Sequence, residues 1–338
     1  MATLKDISKH TGYSITTVSR ALNGYFDVNE ETRKRILQAA EELNYSPNLS
    51  ARNLVNQGSK TIGILINDLK VESAKDNFMF KNLCGISDLL GETDFEFVLL
   101  STTTTKQKNK NLQQIVAERQ LAGIIIEGLK TDDPYIMEIK ECNIPAVLID
   151  IPIEGENIKY VTSNQLESVK HAVKYLHRLN HRNIAYMNGT SNTHVSKIRT
   201  YSYLQALEEL GIVPNPDYMV DGNFTEEGAK KAALPLLLSH PEVTAIFCAS
   251  DVMALGVLSC ARELGIKVPE QLSIIGFDNI LISEYVYPPL TTVSQFPYEM
   301  GKAAAHMLVG LINGVVTEES FIEIKNELII RGTTAPLT

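Results

Sequence analysis

The sequence predicts an α/β protein in two unequal parts, a small N-terminal head with a helix-turn-helix and a large two-lobed body of doubly wound parallel sheets. Short capped helices fill the first 46 residues, and from residue 60 buried apolar strands alternate with amphipathic helices, as in right-handed βαβ units. Charge changes at the same place: residues 1–60 carry eight basic and six acidic side chains, whereas the net charge of the 338 residues is −9. This distribution places any nucleic-acid contact in the head.

Composition limits the class of protein. Charged residues make up 21% and aromatic residues 7%, so disordered and fibrous classes are excluded. The four cysteines are widely spaced and form no Cys-x-x-Cys pair, which predicts neither a zinc site nor a disulfide framework and suits a reducing cytoplasm. The N-terminus lacks the apolar stretch of a signal peptide, and no apolar run is long enough to cross a bilayer. We therefore expect a soluble cytoplasmic protein with no membrane partner.

Local helix signals define the head. Thr3-Leu-Lys-Asp6 resembles a capping box with Asp in the place of Glu, and the helix that it starts is predicted to stop at Gly12. Ser14 can cap a second helix, and Asn29 can cap a third that runs to Leu43. The first two helices have the spacing of a helix-turn-helix. The side chains predicted to face the head core are Val18, Ala21, Leu22, Ile36, Leu37, Ala40 and Leu43.

Residues 46–55 join the two parts and read as a hinge. Pro47 suits the first turn of a helix, but a helix this short is marginal by itself. Leu54, beside small residues and Arg52, matches an apolar side chain that inserts into the DNA minor groove. The alternative is an ordinary linker turn.

The stretch from Thr3 to Leu54 resembles, without a gap, the head of the lactose/galactose repressor family of bacterial transcription regulators. The motifs that carry the resemblance are Leu4-Lys-Asp-Ile-Ser, Tyr13-Ser-Ile-Thr-Thr-Val-Ser-Arg20-Ala-Leu-Asn23, Glu31-Thr-Arg33 and Glu42-Leu-Asn-Tyr-Ser-Pro-Asn48. The resemblance implies a DNA-binding domain over residues 1–46, a hinge helix and linker over 47–59, and an effector-binding and dimerisation domain over 60–338. In this family the second helix lies in the major groove, and the hinge helices of two subunits enter the minor groove together.

The resemblance also implies DNA contacts. Ile15, Thr16 and Arg20 are expected to read base edges, because Arg can bond guanine in a bidentate manner and an apolar side chain suits the thymine methyl. The expected phosphate contacts are Thr17, Ser19, Asn23, Asn29 and Thr32, and the remaining expected DNA contacts are Thr3, Leu4, Asn48, Ala51, Arg52 and Leu54. The partner would be a pseudo-palindromic double-stranded operator, bound by a homodimer with salt-sensitive affinity. A solvated helix face is the alternative.

The body is predicted to hold two βαβ halves that divide near residues 151–160. The predicted strands are Thr61–Ile66, Phe95–Leu100, Ala122–Ile126, Ala146–Ile149, Ile184–Met187, Ala245–Ala249 and Ser273–Phe277. The predicted helices lie near Phe78–Leu90, Asn111–Arg119, Ser168–Leu179, Tyr201–Leu210, Glu226–Leu238, Val252–Leu264 and Tyr298–Leu311. Family resemblance is looser here, mainly in Ile275-Gly-Phe-Asp-Asn279, and it implies a periplasmic-binding-protein-like body.

Ligands of parallel sheets collect beyond the carboxyl ends of the strands, so polar residues there are the candidates. The resemblance assigns effector binding to Asp150, Arg199 and Asp278, and carboxylates with a guanidinium suit a sugar better than a purine. The full set of candidate effector-binding residues is Asn67, Asp68, Asp150, Asn164, Arg199, Ser250 and Asp278. For Asp251 and Asp278 the alternative is helix capping. Asn164, Ser250 and Ser202 depart from the common family residues, which leaves the effector's identity open.

Catalytic and metal motifs are missing from the sequence. It contains no Gly-x-Gly-x-x-Gly, no phosphate-binding loop and no Gly-x-Ser-x-Gly, so no enzyme activity and no cofactor are predicted. His177 and His181 have metal-ligand spacing, but a solvated helix face is favoured. The resulting hypothesis is an effector-controlled repressor of carbohydrate-use genes. The alternatives are a solute-binding protein, a nucleotide-binding enzyme, a catabolite-control-type regulator governed by a phosphocarrier protein, and a purine-responsive repressor.

Overall fold

The computed structural model of the protein describes residues 2–22, 25–43, 45, 59–69, 78–315 and 319–337. The chain forms two compact units, Met1–Ser59 and Lys60–Thr338, which are described separately below. The predicted hinge, with Asn48, Ala51, Arg52 and Leu54, and the expected phosphate contact Asn23 lie outside the described residues.

In the head, the described residues form α1 (Leu4–Thr11), α2 (Ile15–Leu22) and α3 (Glu30–Glu42). The predicted capping box of α1 is confirmed: Thr3 N donates to Asp6 Oδ2 at 2.9 Å, and Asp6 N donates to Thr3 Oγ1 at 3.3 Å. The helix ends at Gly12, whose φ of 75° is the left-handed conformation that Gly adopts readily.

The helix-turn-helix geometry follows from two further caps. Thr17 N donates to Ser14 Oγ at 3.1 Å, and Thr32 N donates to Asn29 Oδ1 at 2.8 Å. The buried core of the head comprises Ile7, Val18, Ala21, Ile36, Ala39 and Ala40. The prediction of Leu37 as a core residue is wrong, because one position of helical rotation turns it towards solvent, and Ala39 is buried instead.

The body strands β1 to β12 are Thr61–Asn67, Glu96–Thr102, Leu121–Glu127, Ala146–Ile149, Ile158–Ser163, Ile184–Asn188, Met219–Asp221, Ala245–Cys248, Ser273–Asp278, Thr291–Ser294, Phe321–Ile324 and Glu327–Ile329. The body helices α4 to α12 are Phe78–Leu90, Thr104–Asn109, Leu112–Arg119, Tyr135–Glu141, Gln165–Arg178, His194–Glu209, Glu226–Ser239, Asp251–Glu263 and Pro297–Ile312. Short 3₁₀ helices span Pro216–Tyr218 and Leu281–Glu284.

The strands of the described residues form two six-stranded sheets, one in each lobe. Lobe one has the order β11-β5-β4-β3-β1-β2 with every pair parallel, and lobe two has the order β12-β10-β9-β8-β6-β7, in which β12 is antiparallel to β10. Strands such as β1 and β4 are buried along nearly their whole length because helices cover both faces of the sheet. This confirms the predicted doubly wound, two-lobed body.

The predicted division between the halves is wrong. Residues 158–163 form β5, which pairs with β4 inside lobe one, so the chain first passes to lobe two at Asn164. It returns at residues 295–296, and it passes to lobe two again at residues 325–326. The first crossing was placed too early because β5 was not predicted. The other two were missed because β10, β11 and β12 are only three or four residues long.

The return of the chain to lobe one depends on close contact between α4 and α12. A Cβ on Gly85 would lie 2.0 Å from the Tyr298 carbonyl oxygen, and a Cβ on Gly301 would lie 2.1 Å from that of Asn82. Only glycine permits two helix backbones to approach so closely. Helix α12 thereby closes lobe one after the chain has built most of lobe two.

Candidate effector site and nucleic-acid interface

A cavity of about 220 Å³ lies between the two lobes of the body. Its lining from lobe one is Phe78, Glu127, Gly128, Ile149 and Asp150, its lining from lobe two is Val195, Arg199, Phe224, Ser250, Val252 and Asp278, and Gln295 lines it from a crossing segment. The carboxyl ends of parallel strands therefore meet at this cavity, as expected for open α/β sheets.

Asp150 follows β4 and supplies a carboxylate from lobe one. Its Oδ1 accepts hydrogen bonds from Thr162 Oγ1 at 2.8 Å, Gln165 Nε2 at 2.9 Å and Ser163 N at 3.4 Å. Burial raises the pKa of this carboxyl above its ordinary value, against the opposing effects of the Thr162 bond and the Arg199 charge. Among the described residues no donor reaches Oδ2, which leaves this oxygen for a ligand.

Arg199 lies on α9 and supplies a guanidinium from lobe two. Its Nε donates to Gln165 Oε1 at 2.9 Å, its Nη1 donates to the Ala249 carbonyl at 2.5 Å, and the guanidinium stacks 3.9 Å from the centre of the Phe277 ring. These contacts hold the planar group in one orientation. Within the described part of the chain, Nη2 has no hydrogen-bond acceptor.

Asp278 ends β9 and faces Asp150 across the cavity from the other lobe. Its carboxylate accepts a hydrogen bond from Gln295 Nε2. The alternative of helix capping is wrong for Asp278, because the next helix begins after Ile280 and has no side-chain cap. Asp150, Phe224 and Asp278 all have positive φ, at 58°, 54° and 113°, an uncommon conformation that concentrates at functional sites.

Three of the seven predicted effector residues do not line the cavity. Asn67 bonds Gly128 O, Asp133 and Gln107 inside lobe one, Asp68 pairs with Lys130 at 2.5 Å, and Asn164 caps α8 by accepting from Glu167 N at 3.3 Å. The other four, Asp150, Arg199, Ser250 and Asp278, do line it. Binding of an effector by any of them stays a prediction.

Ser250 and Asp251 have roles that differ from those expected for their positions. Ser250 caps α11 by accepting from Met253 N at 3.2 Å, so the capping alternative for Asp251 is wrong. Asp251 is fully buried and accepts from Ile280 N at 2.9 Å and from Thr292 Oγ1 at 2.5 Å. It therefore holds the turn after β9 rather than a ligand.

The site residues missed by the sequence prediction are Phe78, Glu127, Phe224, Gln165 and Gln295. Phe224 follows the three-residue strand β7, and Gln295 follows β10, so neither had a predicted strand end to mark it. Gln165 directly follows the helix cap Asn164, and nothing local distinguishes it from an ordinary first-turn residue.

The lobes also touch at the rim of the cavity. Thr131 N donates to the Asn192 carbonyl at 2.8 Å, and Lys197 Nζ donates to Thr131 Oγ1 at 3.2 Å. These bonds join the loop after β3 to the loop before α9 and to α9 itself. They hold the two lobes together at a place other than the crossing segments.

Of His177 and His181, the pair with metal-ligand spacing, only His177 lies on α8. His181 lies beyond α8, is buried, and bonds Thr244 Oγ1 and Ser273 Oγ at 3.0 Å each, so the expectation of a solvated helix face is wrong for this residue. Among the described residues, no group of three or more His, Cys, Asp or Glu side chains could hold a metal ion. In the same residues, no helix has the length and apolar character needed to cross a membrane.

In the head, the residues predicted to read bases, Ile15, Thr16 and Arg20, lie on α2. Ile15 is 48% exposed, as predicted, and Thr16 is exposed beside it. Arg20 is exposed but paired: Nε donates to Asp27 Oδ1 at 3.2 Å, and the guanidinium lies 5.1 Å from the centre of the Tyr25 ring. The cap of α3 at Asn29 presents backbone N–H groups of the kind that bind phosphate.

A helix-turn-helix head joined to a two-lobed, doubly wound body is the architecture of a ligand-responsive DNA-binding regulator. The family model for bacterial regulatory proteins of the lacI family matches residues 3–48, and that for the periplasmic binding protein-like domain matches residues 173–334. The chain belongs to the lacI family and is a DNA-binding transcriptional repressor of that family.

Relatives and solved structures match along nearly the whole chain. The chain is 32% identical to the transcriptional repressor PurR of Pasteurella multocida, covering 98% of each chain, and 34% identical to the repressor CytR of Escherichia coli K12, covering 99% of this chain and 97% of CytR. The regulator CelR in complex with cellobiose matches with 27% identity and a TM-score of 0.76, covering 98% of this chain and 100% of CelR. A lac repressor dimer on its operator shares the fold, with a TM-score of 0.86, 24% identity and 99% coverage of both chains. These relatives are repressors and regulators rather than enzymes.

Proposed function

We propose that this chain is a homodimeric cytoplasmic repressor whose affinity for a pseudo-palindromic operator is controlled by a small neutral sugar bound between the lobes of the body. One observation carries the proposal: Asp150 of lobe one and Arg199 and Asp278 of lobe two line the same cavity. A ligand that contacts all three holds the lobes in one relative position. An effector controls a repressor only if it binds one arrangement of the lobes more tightly than another, and a ligand that contacts both lobes meets this requirement.

The chemistry of the lining favours hydroxyl groups. Carboxylate oxygens accept hydrogen bonds from hydroxyls, and a guanidinium donates to hydroxyl or ring oxygens. The lining carries three acidic side chains, Glu127, Asp150 and Asp278, and one basic side chain, Arg199. Because this balance is negative, a sugar phosphate is disfavoured relative to a neutral sugar.

Size and apolar surface narrow the class further. A cavity of about 220 Å³ lies below the usual range of small-molecule sites, which begins at about 300 Å³, and so suits a single ring better than an oligosaccharide. Phe78 and Phe224 contribute aromatic surface from opposite lobes, which suits the apolar faces of a sugar ring. A regulator from Enterococcus faecium with bound ribose, 26% identical with a TM-score of 0.70 over 82% of this chain and 100% of that one, supports a single-ring sugar.

The same two phenylalanines favour a second candidate. A planar purine base can stack against aromatic side chains, and the carboxylates can accept its N–H groups. This candidate corresponds to a purine-responsive repressor and makes no use of paired hydroxyls.

A melting-temperature screen followed by operator binding tests both candidates. D-ribose, D-glucose, cellobiose, hypoxanthine, cytidine and ribose 5-phosphate are each added to the full chain, and a ligand at about 100 times its Kd should stabilise the protein by about 2.7 kcal/mol. Arg199→Lys and Asp278→Asn should abolish both the stabilisation and the effector response of operator binding while leaving basal operator affinity within about twofold. Arg119→Lys, an exposed change on α6, is the matched control. Loss of basal operator binding with an unchanged effector response would assign these side chains to a different role.

A further inference from the structure

Gln165 lies between the acid of one lobe and the base of the other. It is the first residue of α8, directly after the first crossing, and it is 4% exposed. Its Nε2 donates to Asp150 Oδ1 at 2.9 Å, and its Oε1 accepts from Arg199 Nε at 2.9 Å. Chemistry dictates this orientation of the amide, because a guanidinium has only donors and an ionised carboxylate has only acceptors.

A direct contact between Asp150 and Arg199 would compete with a ligand. Carboxylate and guanidinium match each other in a bidentate geometry, and their attraction strengthens where water is scarce. Such a pair would occupy Asp150 Oδ2 and Arg199 Nη2, the two atoms that have no hydrogen-bond partner in the described part of the chain. Both charged groups are hydrogen-bonded to the same amide, so removing that amide takes away the group that joins and separates them.

We propose that Gln165 is a positioning residue that keeps Asp150 and Arg199 apart when the lobes are together, so that both stay available to a ligand. The neutral amide bonds Asp150 Oδ1 and Arg199 Nε. It leaves Asp150 Oδ2 and Arg199 Nη2 towards the cavity. The raised pKa of Asp150 agrees with this separation, since burial outweighs the attraction of the guanidinium. The role rests on the proposed function only in that the cavity takes a ligand.

The remaining contacts of both groups keep each one on its own lobe. Asp150 also accepts from Thr162 and Ser163 of β5, whereas Arg199 also donates to the Ala249 carbonyl and stacks on Phe277. Removing the Gln165 amide leaves these contacts in place, and only the cavity-facing atoms, Asp150 Oδ2 and Arg199 Nη2, are then available to turn towards each other.

Gln295 provides a matched control at the second crossing. It is 1% exposed, donates to Asp278 of lobe two, and accepts from Ser163 Oγ of lobe one at 2.9 Å. It has the same residue type, burial and position between lobes as Gln165, but its hydrogen bonds involve neither Asp150 nor Arg199. Replacing it should perturb the lobes without changing the environment of Asp150.

The decisive measurement is the titration of the Asp150 carboxyl in the full chain without ligand. Protein labelled with ¹³C at aspartate carboxyls is followed by NMR, and Asp150→Asn assigns the signal. In Gln165→Met the loss of the amide donor by itself would raise the Asp150 midpoint, whereas a direct contact with Arg199 favours the ionised form and lowers it. The spacer role therefore predicts a net fall of about one pH unit or more, and a rise would overturn it. In Gln295→Met the Asp150 midpoint should be the same as in the unmodified protein. The same midpoint in the unmodified protein and Gln165→Met, or equal changes in both methionine variants, would overturn the spacer role.

A second variant covers the case in which Gln165→Met does not fold. Gln165→Glu keeps the side-chain size and places a second carboxylate against Asp150, so the Asp150 midpoint should rise. An unchanged midpoint in this variant would contradict the contact on which the proposal stands.

Ligand binding separates the spacer role from the proposed function. D-ribose and D-glucose are titrated by calorimetry into the unmodified protein and into Gln165→Met, and a sugar that binds the former should bind the latter at least about tenfold more weakly. Equal affinities would overturn the spacer role. If neither sugar binds the unmodified protein, the sugar assignment fails, and the carboxyl titration still decides the role of Gln165.

Discussion

Arg20 is predicted to read a base, and it already has partners inside the head. Helix α2 presents its guanidinium to solvent, yet Asp27 accepts from it and Tyr25 lies beneath it. The predicted contact with a guanine edge would require Arg20 to exchange a carboxylate partner for a base. The Asp27 carboxylate competes with the phosphate oxygens of DNA for the same guanidinium, so it reduces the attraction of Arg20 to a bare phosphate backbone.

Asp27→Asn should release Arg20 and weaken discrimination. Non-specific affinity should rise, and the slope of log K against log salt should steepen by up to about 0.9, since one more cation is available to phosphate. Stability of the head should change by less than about 1 kcal/mol because the ion pair is exposed. Fluorescence anisotropy with operator and scrambled duplexes at two salt concentrations measures the ratio of specific to non-specific affinity. Asp217→Asn, an exposed change of equal charge in the body, is the control, and an equal loss of both affinities would contradict the exchange.

At the scale of elements, the turn from Asn279 to Glu284 depends on one buried acid. Asp251 at the start of α11 accepts from the backbone of this turn and from β10, and Arg331 donates to Asn279 Oδ1 at 2.8 Å and to the Leu290 carbonyl at 2.9 Å. Burial raises the pKa of Asp251 to about 7. The turn is thus held by a group that changes charge near neutral pH.

The sign of the resulting pH dependence follows from linkage. The pKa of Asp251 is higher in the folded protein than in the unfolded chain, so its contribution to stability is fully present below about pH 4 and is lost as pH rises to about 7. In that window the free energy of unfolding should fall by up to about 1.4 kcal/mol per pH unit from this residue. Urea unfolding at about pH 5 and about pH 7.5 should show a smaller fall for Asp251→Asn than for the unmodified protein. Equal falls in both proteins would rule out Asp251 as the source, and Asp217→Asn again serves as control.

The hinge offers an element-scale prediction from the sequence, since Leu54 lies outside the described residues. If Leu54 inserts at a central base step, Leu54→Ala should weaken specific binding by about 1 to 3 kcal/mol and leave non-specific binding nearly unchanged. A linker leucine packed on the body would instead lower the melting temperature of the free protein. Measuring both the affinities and the melting temperature on Leu54→Ala distinguishes the two roles. An unchanged ratio of specific to non-specific affinity would exclude Leu54 from DNA recognition.

At the scale of the whole molecule, the body exposes apolar side chains in both lobes. In lobe two they lie on and after the turn that Asp251 holds, and in lobe one they lie on α4 and the edge strand β2. The side chains concerned are Leu281, Ile282, Tyr285 and Tyr287 in lobe two and Phe80, Phe97 and Leu99 in lobe one. Apolar surface of this kind supports the proposed homodimer, and a pseudo-palindromic operator requires two heads.

Leu281→Glu combined with Tyr285→Glu should shift the protein towards monomer, because a carboxylate cannot be buried unpaired at an interface. Sedimentation velocity measures the oligomeric state, and operator affinity should fall with it because one head binds only one half-site. Val213→Glu introduces one glutamate at another exposed apolar side chain and should leave the dimer intact. A variant that stays dimeric would place the interface elsewhere on the body.

The sequence by itself determined the head and the class of the body. Caps at Thr3, Ser14 and Asn29 and the stop at Gly12 are local signals, read within three or four residues, so they needed no tertiary context. Fully buried strands such as β1 and β4 were equally clear, because continuous apolar runs belong to parallel sheets covered on both faces.

Only the tertiary structure decided where the lobes divide and which polar residues meet. Strand β5, for example, pairs on one side with β11, which comes from the distant segment Phe321–Ile324, and that pairing leaves no local signal in either segment. Asn67 ends β1 and Asp150 directly follows β4, yet Asn67 is hydrogen-bonded to partners inside lobe one and Asp150 lines the cavity. Gln165 and Gln295 gained their positions from chain crossings. Convergence on a cavity is a property of non-local packing, which no window of sequence contains.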